Sequence, residues 1–116
     1  MTTLLPDRIS CYCNVLEPLV TAEVLRQLAE LPPNLVKYIK PEEAIAYALN
    51  RLPPLYATSQ EGWKRQQEKA QTELAKHVFL AVRQGLAAVQ RDPLKASTPL
   101  QDELSFKHNL SFLFTA

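Results

Sequence analysis

Two pairs of consecutive prolines constrain this chain more than any other feature. They occupy residues 32–33 and 53–54 of a 116-residue sequence that contains only two glycines. Proline lacks a backbone N–H and pushes the residue before it out of the α region, so each pair ends a helix and sends the chain on in an extended conformation. Any helix must therefore fit before, between or after these two corners.

Length and composition indicate one small, mostly helical domain. Apolar residues make up 47% of the chain, which is enough for a modest core. Alanine, leucine, glutamine, glutamate, lysine and arginine are plentiful, and these residues favour helices. The sequence therefore predicts an all-α fold in which only short strands remain possible, rather than a β-sandwich or a Rossmann-type sheet.

A first helix is predicted over residues 14–30. Asn14 suits the N-cap, although Pro18 forfeits an early helical hydrogen bond and favours a start nearer Glu17. Apolar residues recur three and four positions apart, which predicts a buried face made of Leu16, Leu19, Val20, Val24, Leu25 and Leu28.

A short second helix is predicted between the two proline corners. Pro41 occupies the favoured first helical position, and Glu42 and Glu43 complement the positive end of the helix dipole. The helix should end near Arg51, because Pro53 excludes Leu52 from the α region.

The third helix is expected to be the longest, running without interruption from about residue 59 to residue 91. Thr58 and Glu61 have capping-box spacing. The first half is polar, whereas the second half is apolar around most of its circumference, which is typical of a helix buried on several sides. We therefore predict a homodimer through the apolar half, which contains Val78, Phe79, Leu80, Ala81, Val82, Leu86, Ala87, Ala88 and Val89.

The residue types that support catalysis or metal binding are sparse. Cys11 and Cys13 form a lone Cys-x-Cys without a second pair, and His77 and His108 lie far apart. No phosphate loop or nucleophile elbow is present, so we expect no enzyme, no metal and no cofactor. Buried or idle thiols are one interpretation of the cysteines; redox sensing, or a metal shared between protomers, is the other.

Charge and hydropathy bear on location and partners. The chain has 13 basic and 12 acidic side chains, so no global field directs it to nucleic acid or to an anionic membrane. No apolar run approaches the roughly 18 residues that span a bilayer, and no signal peptide is recognisable. We expect a cytoplasmic protein with no membrane span and no direct contact with nucleic acid.

The second proline corner carries a family resemblance. Residues 48–56 read Ala-Leu-Asn-Arg-Leu-Pro-Pro-Leu-Tyr, and residues 14–17 read Asn-Val-Leu-Glu. These segments resemble the late-competence ComFB family over about residues 14–92, which leaves extensions at 1–13 and 93–116. The resemblance implies a receptor for cyclic di-GMP, and the Lys-Tyr-Ile-Lys-Pro context at 37–41 resembles cyanobacterial members. Other members carry a cysteine cluster before the Leu-Pro-Pro motif; residues 31–40 contain no cysteine, so zinc is not carried over.

A ligand site is predicted around the proline corners. The start of the third helix offers N–H groups and hydroxyls to phosphate, and an arginine plane or a tyrosine ring can stack on guanine. By resemblance and chemistry together, phosphate or guanine contacts are assigned to Lys37, Lys40 and Arg51, a guanine edge to Glu43, stacking to Tyr56, and phosphate to Thr58 and Ser59, with Asn50 beside them.

Ordinary structural roles stay open for some of these residues. Asn50 would then cap the second helix, Arg51 would complement its dipole, and Tyr47 and Tyr56 would belong to the core. Four further basic residues are interpreted as a solvated surface: Lys64, Arg65, Lys69 and Lys76.

The resemblance implies a signalling function. Cyclic di-GMP bound near a subunit boundary would favour one dimer arrangement and so alter binding to a regulatory protein, such as a transcription factor or a motility or DNA-uptake factor. The alternative is a constitutive helical scaffold that binds proteins and no nucleotide. The aromatic C-terminal extension, residues 93–116, is expected to dock on the body or on a second protomer, with a disordered tail as the alternative.

Overall fold

The computed structural model describes residues 11–91, 98 and 100, and these residues confirm the all-α fold. Within this part of the chain there are five helices and two short strands, which pair as one antiparallel ribbon. Their bounds are β1 Cys13–Asn14, α1 Leu16–Leu28, α2 Pro33–Val36, α3 Pro41–Leu49, β2 Tyr56–Ala57, α4 Gln60–Glu73 and α5 Ala75–Arg91.

The core lies where α1, α3 and α5 pack against one another. Helix α4 packs instead on β2 and on the start of α5. The predicted face of α1 is buried at most positions, but Leu25 is 54% exposed. The largest side chains with no exposure to solvent are Val15, Leu16, Val20, Val24 and Val82.

The proline corners act as the sequence predicts. Pro41 begins α3 after Lys40, whose backbone is extended (φ −90°, ψ 112°). Helix α3 ends at Leu49, two residues before the predicted end, and Asn50 is its C-cap. The first corner also begins a helix that was missed: Pro33 takes the first position of the four-residue α2, where its lacking N–H costs nothing.

Asn14 has a different role from the predicted N-cap, because α1 begins at Leu16 and Asn14 belongs to β1. The side-chain oxygen of Asn14 accepts hydrogen bonds from the backbone N–H of Leu16 and of Leu55, each at 3.1 Å. One buried amide therefore ties the start of α1 to the segment that follows the second proline corner.

The prediction of one uninterrupted third helix is wrong, because the chain bends at Leu74 (φ −111°, ψ 1°). Neither proline nor glycine stands there. Helix α4 contacts β2, where Gln66 donates a 3.3 Å hydrogen bond to the carbonyl oxygen of Tyr56, whereas α5 contacts α1 and α3. The two helices thus pack on different elements, and this tertiary packing outweighs the helix propensity of the local sequence.

Gly85 allows α3 and α5 to approach closely. A Cβ atom at this position would lie 3.0 Å from the carbonyl oxygen of Ala44 and 3.2 Å from Cδ1 of Tyr47. The missing side chain is thus a packing requirement, which explains a glycine in the interior of a 17-residue helix despite its helix-destabilising tendency.

A polar link joins α1 to α5 beside this core. Gln27 is buried, and its Nε2 donates to Glu23 at 2.7 Å and to the carbonyl oxygen of Phe79 at 3.2 Å. Arg26 donates two hydrogen bonds to the same carboxylate, at 3.0 and 2.8 Å, and these bonds lower the pKa of Glu23.

Helix α5 is less completely buried within one chain than its composition predicts. One face carries the buried residues, while Phe79 and Leu80 on the other side are 37% and 43% exposed. A second copy of the chain would cover these two side chains. The homodimer stays a prediction.

Some expectations fall on residues that the structure does not describe. These are the extension at residues 1–10 and the tail, of which only Thr98 and Leu100 are described, so the docking of the tail lies outside the described residues. Among the described residues, no helix has the length and apolar character needed to cross a bilayer.

The glycine contact generates the first prediction. Gly85→Leu should lower the free energy of unfolding by about 3 kcal/mol, because the new side chain overpacks the α3–α5 crossing. Urea unfolding of the full chain measures this. Gln84→Leu places the same side chain on the exposed side of the helix and should change stability by only about 0.5 kcal/mol. Equal losses would contradict the packing requirement.

A second prediction concerns Asn14. Asn14→Ala should cost about 2–3 kcal/mol, because two backbone N–H groups lose their acceptor in a buried place. Asn34→Ala, at an exposed position of α2, is the matched control and should stay within about 0.5 kcal/mol. The same urea titration compares the two variants. If Asn14→Ala lowers the free energy of unfolding no more than Asn34→Ala does, the two hydrogen bonds to Asn14 do not stabilise the fold as argued.

Candidate ligand-binding site

The β-ribbon places different side chains on its two faces. Cys13 pairs with Ala57 and Asn14 pairs with Tyr56, so neighbouring residues alternate between the faces. Tyr12 and Tyr56 share one face, with ring centroids 6.2 Å apart, and both rings are more than half exposed. The exposure of Tyr56 rules out the interpretation of this residue as part of the core and leaves its ring accessible to a planar ligand.

The ribbon is fixed by the second proline corner. Leu52 and Leu55 are buried on either side of Pro53 and Pro54, which are exposed. The carbonyl oxygen of Leu55 accepts a 2.8 Å hydrogen bond from the N–H of Val15, in addition to the bond that Leu55 donates to Asn14. The corner therefore holds the segment before α4 against the start of α1.

Arg51 stands at the end of α3 and stacks on Tyr47. The guanidinium carbon lies 3.5 Å from the centroid of the Tyr47 ring, which is a close cation–π contact. The two residues are four positions apart, so they are neighbours on one helix face. Arg51 makes no ion pair with any residue that the structure describes. Its orientation is thus set by an aromatic ring, which leaves the N–H donors of the guanidinium for a ligand.

The start of α4 is capped by Ser59 rather than by Thr58. The Ser59 hydroxyl oxygen accepts a 3.0 Å hydrogen bond from the N–H of Gly62, and the backbone of Ser59 is extended. The N-cap is therefore one residue later than predicted, and the predicted capping box is wrong, because Gly62 at the third helical position has no side chain that could bond back to the N-cap. The first N–H groups of any α-helix lack a partner within that helix, so the start of α4 can hold an anion.

A cavity of about 520 Å³ opens at this helix start. Its size is within the range of small-molecule sites. Thr58 and Ser59 line it together, and Lys64 is the charged residue among the described part of its lining. The other lining residues are Cys11, Cys13, Ala57, Gln60 and Trp63.

Glu43 lies in a different place. It lines a cavity of about 740 Å³ between α3 and α5, together with Tyr47, Arg91 and Leu100. A further cavity of about 600 Å³, between α1 and α5, contains none of the eight predicted site residues. These three cavities thus contain three of the eight predicted residues, in two separate places, and none of the three cavities is lined by Lys37, Lys40, Asn50, Arg51 or Tyr56.

The remaining predicted residues lie at the two ends of α3. Lys40 precedes the helix, and Lys37 is exposed with its ammonium 5.2 Å from the ring of Tyr38. Asn50 and Arg51 follow the helix, whose nine residues correspond to about 13 Å. One small ligand would have to extend along α3 to contact both ends within one chain, so the assignment of the whole set to one site stays a prediction.

Sequence reasoning missed several residues that the structure places here. Tyr12 and Tyr47 support Tyr56 and Arg51, and the two cysteines line the same cavity as Thr58 and Ser59. The four-residue spacing of Tyr47 and Arg51 was the available signal for the stack. The Cys-Tyr-Cys alternation was the signal for a ribbon whose two faces differ.

The fold and the site together define a small helical domain in which strand β2, paired with β1, lies between the end of α3 and the capped start of α4. The chain belongs to the family of late competence development protein ComFB, whose family model matches residues 13–93. No curated protein matches the chain significantly.

The cap generates a third prediction. Ser59→Ala should destabilise the protein by about 1 kcal/mol, because the N–H of Gly62 loses its acceptor. Thr58→Ala should change stability by only about 0.5 kcal/mol. Thermal unfolding of the two variants compares them directly. A larger loss at Thr58 than at Ser59 would restore the capping box that the sequence predicts.

Proposed function

We propose that this protein is a receptor for cyclic di-GMP that transmits the level of this second messenger to a protein partner. Membership in the ComFB family supports the proposal, since the resemblance of this chain to the family implies such receptors. The observation that carries it is the Arg51 guanidinium, stacked 3.5 Å over Tyr47 and without an ion pair among the described residues.

The chemistry of Arg51 suits guanine. A guanidinium presents paired N–H donors in one plane, which match the O6 and N7 acceptors of guanine, and its face can stack on a base. Tyr47 holds this plane in place before any ligand arrives, which reduces the entropy lost on binding. The exposed Tyr12–Tyr56 pair offers a second aromatic surface on the other side of the proline corner.

The phosphates have a matching surface at the start of α4. Helix N-terminal N–H groups, the hydroxyls of Thr58 and Ser59, and the Lys64 ammonium favour a negatively charged group in the 520 Å³ cavity. Glu61 in the first turn of α4 opposes this attraction, although it does not line the cavity. In this proposal the phosphates are bound at α4 and a guanine is bound at Arg51.

A second copy of the chain would account for the division of the predicted residues. Cyclic di-GMP has two-fold symmetry, and a two-fold dimer presents every residue twice around its axis. A ligand on that axis would meet Arg51 from both copies, with no need for one chain to supply all the contacts. The exposed Phe79 and Leu80 of α5 are side chains that such a dimer would cover.

The output in this proposal is a changed affinity for a regulatory protein, such as a transcription factor. A ligand shifts a two-state dimer only by its differential affinity for the two states. The alternative is a constitutive scaffold, which the exposed apolar residues Leu25, Phe79 and Leu80 favour, because they would bind proteins without any nucleotide.

Isothermal titration of the full chain with cyclic di-GMP tests the proposal and gives a fourth prediction. Arg51→Ala should weaken binding between about tenfold and a hundredfold, because hydrogen bonds to a charged group contribute about 1.5–3 kcal/mol each. Arg51→Lys keeps the charge but lacks the planar donor pair, so its affinity should fall between those of the wild type and the alanine variant.

The matched control is Arg83→Ala, since Arg83 is an exposed arginine of α5 that lines the cavity between α1 and α5. Its affinity should equal that of the wild type. Absence of heat with the wild-type chain at high concentration would favour the scaffold. Equal weakening by Arg51→Ala and Arg83→Ala would show a diffuse charge effect and contradict the role of the stacked arginine.

A further inference from the structure

Cys11 and Cys13 line the cavity of about 520 Å³ at the start of α4, called the α4 cavity below. The proposed function gives neither cysteine a role. Both thiols are free and exposed, and both residues line the cavity with Thr58 and Ser59. Residues two apart in an extended segment point to the same side, so the Cys-x-Cys spacing places both side chains on the cavity face of the ribbon, opposite the Tyr12–Tyr56 pair.

Cys13 is the better fixed of the two. It belongs to β1 and pairs with Ala57, and Val15 donates a hydrogen bond to Leu55 just beyond it. Cys11 lies outside the ribbon. The backbone of Cys13 is therefore held against β2, and Cys13 lines the same cavity as Thr58, the residue that follows its strand partner.

A disulfide between the two cysteines is disfavoured by this geometry. Two residues of extended chain separate the Cα atoms by about 6.6–6.8 Å, which is at the upper limit for a disulfide. Cys13 therefore reacts more readily with the disulfide of a separate molecule than with Cys11. Among the described residues that line the cavity, Lys64 is the charged one, and its ammonium group favours a disulfide that carries negative charge.

We propose that Cys13 is a modification site for small acidic disulfides of the glutathione disulfide type. The Cys13 thiolate attacks one sulfur of the disulfide, a new sulfur–sulfur bond forms, and the old one breaks. One glutathione thiolate leaves and takes a proton from water, so Cys13 is oxidised while half of the reagent is reduced. The carboxylates of the attached tripeptide lie towards Lys64 and the start of α4.

The adduct regulates the ligand site, and this second step rests on the proposed function. The attached tripeptide occupies the cavity of about 520 Å³ that Thr58 and Ser59 line, and its negative charge takes the place of a phosphate. Binding of cyclic di-GMP is then blocked until a thiol reductant removes the adduct. The receptor would thereby respond to the thiol redox state as well as to the nucleotide.

The fifth prediction tests the chemistry without any nucleotide. The full chain is treated with glutathione disulfide or with cystamine, a basic disulfide, and intact-mass spectrometry follows the adduct. Cys13→Ser should remove the faster reaction with glutathione disulfide, and Cys11→Ser should keep it. Lys64→Glu should reduce the rate ratio of acidic to basic disulfide by about tenfold, because one attractive charge becomes repulsive. Lys69→Glu, an exposed α4 site away from the cavity, should leave the ratio unchanged.

The chemistry is overturned if Cys13→Ser reacts like the wild type, if the wild type gains an internal disulfide instead of an adduct, or if Lys64→Glu and Lys69→Glu give the same rate ratio.

Titration of the purified adduct with cyclic di-GMP tests the regulation. We expect at least about a tenfold loss of affinity, restored by dithiothreitol. Equal binding by adduct and unmodified chain overturns the regulation alone. If the unmodified chain does not bind cyclic di-GMP, the proposed function is overturned, and so is the regulation that rests on it. The mass measurements still decide whether Cys13 is modified.

Discussion

The contact between α3 and α5 at Gly85 is the constraint on which the remaining structure depends. A single side-chain carbon at this position would meet the carbonyl oxygen of Ala44 and the ring of Tyr47. Both helices contribute the small buried residues Ala44, Ala48 and Ala81 to the same core, so their axes can approach closely. The close approach in turn fixes the position of Tyr47, because its ring lies close to Gly85 of α5 and also carries Arg51.

The stability of the core and the shape of the ligand surface are therefore linked through one tyrosine. Tyr47 is half-buried, touches the glycine and also lines the cavity that contains Glu43. A change in the α3–α5 crossing would move the platform below Arg51 even though neither helix end is altered. Packing deep in the domain and recognition at its surface cannot be varied independently at this position.

The sequence predicts helix ends correctly where a single residue type determines the backbone conformation. Pro41 at the first position of α3 and the end of α3 before Pro53 follow from the proline ring alone, and both were predicted. Leu74 could not be predicted, because the bend there depends on two supports that are distant in sequence. Ser59 and Thr58 are adjacent hydroxyl residues, and local chemistry does not decide which of them adopts the extended backbone of an N-cap.

The candidate site was harder to predict than the fold. The sequence identified the segment from Asn50 to Ser59, but it did not show that the two ends of α3 are about 13 Å apart. Nor did it show that Arg51 rests on Tyr47, although their spacing permitted the contact. Whether side chains converge on one site depends on the path of the chain between helices. In the segment that joins α3 to α4, long-range hydrogen bonds set this path, such as the bond from the N–H of Leu55 to the side chain of Asn14.

The bend at Leu74 has a mechanical consequence. The N–H of Leu74 bonds to the carbonyl oxygen of Ala70, and the carbonyl oxygen of Leu74 accepts from the N–H of Val78, so this one residue belongs to the hydrogen bonding of both helices. Helices α4 and α5 are thus joined directly at Leu74, with no loop between them. A force on the ribbon end of α4 is delivered about 20 Å away at the elbow, where it either opens the angle or tilts α5 against α1 and α3.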